Sequence, residues 1–213
     1  MALPVREHQG FQCLVSVPEP AGTDLLPLLV FLHGNGEAGP PPDQPANIQD
    51  RLTRHGPMSR HAASIAGSFI IVAPQLPHPG GNVWAARAKA VEALAREAAT
   101  AYQCDPARTY LTGFSFGGTG VLALGAQADT PWAACWAVDP RYPPTRLLQR
   151  PLWLSGGLYA ADAGQYTALG FTGPEGGAAN NSIYQFVDSD HIVCARRSYG
   201  DPRPYQWLLQ DRM

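Results

Sequence analysis

The chain has 213 residues, enough for one sizeable core and too few for two ordinary domains. Glycine (22) and proline (21) make up about a fifth of it, against a usual share of roughly 12%. A hydrophobic content of 45%, with five Trp, eight Tyr and seven Phe, excludes a disordered polymer, so the excess predicts sharp turns and long loops in a compact fold. A formal net charge of -2 gives no electrostatic case for nucleic acid or an anionic membrane as partner.

No run approaches the roughly 18 apolar residues of a membrane span, and the first ten residues, MALPVREHQG, lack the basic start and apolar stretch of an export signal. The expectation is a cytoplasmic protein with a single domain over 1–213. Cys13, Cys104, Cys135 and Cys194 form no CxxC pair, which speaks against a metal or thioredoxin-type site. Two disulfides are arithmetically open, but buried free thiols fit the absence of an export signal better.

Phe11–Val17 alternates and reads as an outer strand. Leu28–Leu32 is a continuous apolar run stopped by His33-Gly34, the pattern of a strand buried on both faces. Asn35–Asn47 is a loop with four prolines; Ile48–His55 and Met58–Ala66 read as weaker helices. Phe69–Ala73 is a second buried strand, closed by Pro74. Trp84–Tyr102, with Val91, Leu94, Ala95 and Ala98 on one face, is the strongest helix. Thr109–Thr112 is a strand and Thr119–Ala128 a helix. Ala133–Val138, Leu152–Ser155 and Ser182–Val187 are strands, Gly156–Asn181 is irregular, and Pro202–Leu209 is a last helix. Strands alternating with helices predict a mostly parallel, doubly wound α/β sheet with helices on both faces. Sites in such sheets lie at the carboxyl ends of the strands.

Gly113-x-Ser115-x-Gly117 falls between a strand and a helix. A serine on that turn is forced outward, and side chains in place of the flanking glycines would strike the neighbouring strand and helix. Ser115 is therefore the candidate nucleophile. The amide of Phe116, one residue on, and that of Asn35, in the small-residue turn His33-Gly34-Asn35-Gly36, are candidate oxyanion donors. A serine needs a base. Of six histidines, His191 follows the last strand, where the chain order serine, acid, histidine is respected. The acid has two candidates. Asp162 follows the next-to-last strand and is favoured; Asp139, ending the strand before it and followed by Pro140, is the alternative. Asp188 and Asp190 read as loop or capping residues. Phe114, Trp84, Tyr159 and Leu158 are candidate pocket walls.

These segments resemble the alpha/beta-hydrolases. The likeness is strongest to the branch of polyhydroxybutyrate-depolymerase-like and feruloyl-esterase-like enzymes and predicted peptidases. It is carried by Leu32–Glu37, by Phe69–Gln75 with Trp84, by Tyr102–Gly118, and by His191 with Tyr199–Pro202 and Tyr205–Leu209. The resemblance implies a minimal, lidless hydrolase fold. It also implies a serine esterase that takes a small-molecule ester and needs no cofactor or metal, with Ser115, His191 and an aspartate as triad. A peptidase or thioesterase with the same triad, or a non-catalytic binding protein on the same fold, are the alternatives. The departure is Gly156–Ala161, which stands between the next-to-last strand and Asp162.

Overall fold

The computed structural model describes residues 3–19, 24–39, 48–79, 83–142, 144–158, 163–174 and 182–210. The described residues build a sheet of eight strands: β1 (Val5–His8), β2 (Phe11–Ser16), β3 (Leu28–Leu32), β4 (Ile70–Gln75), β5 (Thr109–Phe114), β6 (Ala134–Val138), β7 (Leu152–Gly156) and β8 (Ser182–Phe186). Their order is β1-β2-β4-β3-β5-β6-β7-β8. β1 and β2 pair antiparallel, as do β2 and β4; every other neighbour pair is parallel.

The continuous apolar runs divide by alternation into two cores, because successive side chains of a strand leave opposite faces. From β3, Leu28, Val30 and Leu32 enter one core, while Leu29 and Phe31 enter the other. The first core is closed by α2 (Val83–Ala86), α3 (Ala88–Ala101) and α4 (Phe116–Gly125), and also takes Tyr166 of α5 (Ala163–Ala168). The second is closed by α1 (Ile48–Leu52), α6 (His191–Gly200) and α7 (Pro202–Leu208), with Tyr199, Tyr205 and Trp207 packed on Trp136 and Trp153. All four cysteines are free and buried in these cores, where burial pushes each thiol up to about 12. No helix of the described residues is long and apolar enough to cross a membrane.

Several elements differ from the sequence reading. β1 is an addition: Gln9 and Gly10, both at positive φ, make the two-residue turn that pairs it with β2. The expected helix over Met58–Ala66 is replaced by turns and a 3-10 helix at Ser64–Ser68, and Ala63 N donates instead to Tyr199 O at 2.8 Å. Trp84–Tyr102 is not one helix; the chain turns at Arg87, so that Trp84 reaches β3's end while α3 follows the sheet. α6 is a second addition, since the sequence reading gives 191–200 no element. Its sequence, HIVCARRSYG, lacks strong helix formers in its first turn, but Cys194, Ala195, Ser198 and Tyr199 fall on one buried helical face.

Candidate active site

The site lies where β3, β5 and β6 end. Parallel pairing sets Phe114 of β5 opposite Val138 of β6. The residues that follow, Ser115 and Asp139, therefore leave the sheet side by side. Ser115 N donates to Val138 O at 3.0 Å, which ties the two ends together.

Ser115 occupies φ 60°, ψ -118°, a strained turn between β5 and the first residue of α4. The flanking glycines are dictated by contact. A Cβ on Gly113 would lie 2.5 Å from Gly117 O, and one on Gly117 would lie 1.9 Å from Leu32 O. β3, β5 and α4 can meet this closely only with hydrogen at both positions.

The strain aims Ser115 at a relay. His191 Nε2 lies 2.8 Å from Ser115 Oγ, and His191 Nδ1 lies 2.6 Å from Asp139 Oδ2. Gly157 N donates to the other carboxylate oxygen of Asp139 at 2.9 Å. Asp139 is 1% exposed, and its carboxylate fixes His191 with Nδ1 protonated and Nε2 free to accept from the serine. His191 opens α6, whose first turn is capped by Asp190 Oδ1 accepting from Val193 N at 2.9 Å.

The structure thus brings Ser115, His191 and Asp139 together, and the position facing His191 Nδ1 belongs to Asp139. Asp162, favoured from the sequence, lies outside the described residues. The preference for it rested on the place of the acid after β7. Here the carboxylate that faces His191 follows β6, and Gly157, just after β7, donates to it.

The turn after β3 is the second wall. A Cβ on Gly34 would come within 3.3 Å of Ser115 Cβ, so Asn35, which opens a 3-10 turn through Glu37, stands beside Ser115. Phe116, the first residue of α4, has no intrahelical acceptor for its amide. His33 holds the turn: its Nδ1 donates to Gly34 O at 2.6 Å and its Nε2 accepts from Leu76 N at 3.0 Å. Burial lowers the His33 pKa to about 4, so the ring stays neutral in that role. Trp84 is no pocket wall; it is buried beneath the turn, with Nε1 donating to His33 O at 3.1 Å. Phe114 lies between His191 (ring centroids 4.5 Å apart) and His55 (5.4 Å). Leu158 is exposed, and Tyr159 is outside the described residues.

One pair was missed in the sequence. Glu37 is buried beside Gly34, with Oε1 3.7 Å from His55 Nε2. Burial raises the Glu37 carboxyl; burial, then Arg196 and Arg54, lower His55 to about 4. A glutamate two residues beyond an oxyanion-type turn was the available signal.

Among the described residues no group of three or more His, Cys, Asp or Glu is placed to hold a metal. No family model and no curated protein matches the sequence. Solved structures do match. A thermostable esterase superposes with a TM-score of 0.64 at 17% identity, covering 100% of this chain and 64% of its own. TT1662 from Thermus thermophilus gives 0.61 at 15%, covering 98% and 99%. A puromycin-hydrolyzing peptidase of Mycobacterium tuberculosis gives 0.65 at 14%, covering 99% of this chain and 40% of its own. The fold is that of the alpha/beta hydrolases. The chain is about as long as TT1662 and spans under two thirds of the length of the matched esterase.

Proposed function

We propose that the protein is a serine hydrolase that cleaves carboxylic esters through an acyl-enzyme. The observation that carries this reading is the unbroken chain Ser115 Oγ, His191 Nε2, His191 Nδ1, Asp139 Oδ2, with both links at 2.8 Å or less. In the first step Ser115 Oγ attacks the ester carbonyl while His191 takes its proton. The Asn35 and Phe116 amides receive the oxyanion; a donor of this kind is worth about 3 kcal/mol of barrier. His191 then protonates the departing alcohol. In the second step it activates the water that releases the acid. Esterases and peptidases among the superposed structures support a hydrolase on this sheet. The intact relay argues against a binding protein that has lost turnover.

The test is labelling. A fluorophosphonate should add mass at Ser115, and Ser115→Ala should abolish turnover of a short-chain 4-nitrophenyl ester. A native protein with no adduct at Ser115 overturns the reading. Rates on matched ester, thioester and peptide substrates separate the esterase from its thioesterase and peptidase alternatives, which the same triad serves.

A further inference from the structure

A cleft of about 990 Å³ opens beside the triad between α1, the turns that follow it and the start of α6. Arg54, His55, Arg60, His61 and Arg196 line it, together with Ile192, the neighbour of His191. Asp50 is the one carboxylate on its wall. Arg54, Arg60 and Arg196 are exposed, and none pairs with a carboxylate within 4.0 Å among the described residues. The cleft and the triad share a floor, since Phe114 packs against His55 on one side and His191 on the other.

His55 Nδ1 is buried and has no hydrogen-bond partner among the described residues. Glu37 lies behind it, with Oε1 3.7 Å from His55 Nε2; burial raises its carboxyl and Arg54 opposes that rise. Guanidinium groups are planar forks matched to carboxylate oxygens, and three line this cleft with no carboxylate within 4.0 Å among the described residues; Arg60 Nε donates to His61 Nε2 at 3.2 Å.

We propose that this cleft is a subsite for a carboxylate carried by the substrate, held by Arg54, Arg60 and Arg196. The preferred substrates are then anionic esters. The inference rests on the ester-hydrolase reading for its turnover test, but the binding test stands without it.

Two substrate arms locate the charge. Mono-4-nitrophenyl adipate and suberate, against the uncharged hexanoate and octanoate, place it on the acyl side. The 4-carboxyphenyl ester of hexanoic acid, against the phenyl ester, places it on the alcohol side. In at least one arm the anionic ester should have the higher kcat/KM. Arg54→Gln with Arg196→Gln should reduce that anionic-to-neutral ratio about tenfold, the scale of one lost charge-assisted hydrogen bond. Raised salt should reduce it too. Separately, adipate should bind Ser115→Ala by calorimetry and bind at least tenfold more weakly when both arginines are replaced. An absence of preference in both arms overturns the proposal, as does a ratio unmoved by the double substitution. If no ester turns over, the hydrolase reading fails and adipate decides alone: binding that needs the arginines supports the subsite, and no binding, or binding that ignores them, overturns it.

Discussion

Asp139 answers to two demands at one position. Its backbone sits at φ 40°, turning the chain ahead of Pro140, and its N–H donates to Ser155 O at 2.7 Å. Its carboxylate meanwhile accepts from both Gly157 N and His191 Nδ1. In the sequence Asp139 is legible as a turn residue, because Asp-Pro is ordinary turn chemistry, and only as the second candidate for the acid. The carboxylate's two donors are 18 and 52 residues away, beyond any local pattern. Ser115 was legible because its demand is local: a strand, a tight turn with glycines and a helix. Asp139→Asn should therefore lower kcat by about 10⁴-fold with a nearly unchanged unfolding midpoint, since the amide N–H₂ must face a donor and drives His191 to the wrong tautomer. Asp162→Asn should stay within about twofold. Steady-state kinetics on the two variants, beside urea unfolding of each, decides between them.

Among elements, α4 shows how tertiary contact overrides propensity. Gly117 and Gly118 are poor helix formers, so the helix was expected to begin at Thr119, yet it begins at Phe116. β3 passes against Gly117 and the end of β6 against Gly118, so neither position has room for a side chain. Gly117→Ala would drive its methyl into Leu32 O. It should cost about 3 kcal/mol or more, seen as a lowered urea midpoint, or yield insoluble protein. Alanine elsewhere in a helix stabilises relative to glycine, so a neutral or raised midpoint would remove this account of the elbow. The buried strands were readable from apolar runs alone. β1 was not, because Val5, Arg6 and Glu7 are exposed at the sheet's edge and carry no burial signal; charge there discourages pairing with another chain. The break at Arg87 was likewise unreadable, since Trp84 owes its direction to His33, 51 residues away.

At the scale of the whole molecule, the buried neutral imidazoles link stability to pH. His33 has its pKa lowered from 6.5 to about 4 by burial. Between those values the unfolded chain binds a proton that the folded chain refuses. Stability from this group is therefore complete above pH 6.5 and is lost as pH falls toward 4, by about 3 kcal/mol in all. His55 acts in the same direction. Glu37, raised by burial, acts oppositely: its stabilisation is present at low pH and is lost as pH rises past 4.5 through its higher folded value. The urea midpoint should fall between pH 7 and pH 4.5, and His33→Gln should flatten the fall. A pH-independent midpoint would contradict a neutral His33 beneath the site.

The pairing of Phe114 with Val138 carries a consequence for how activity reports on folding. Ser115 and Asp139 are aligned by the alignment of two adjacent strands. Alternate residues of a strand face opposite ways, so a one-residue slip would send either partner to the far side of the sheet. No half-aligned form could retain a weakened relay. In a partly denatured or aged sample, remaining turnover would thus count fully native molecules, each working at its full rate, and a simple titration of active serines would serve as a census of correctly registered sheets.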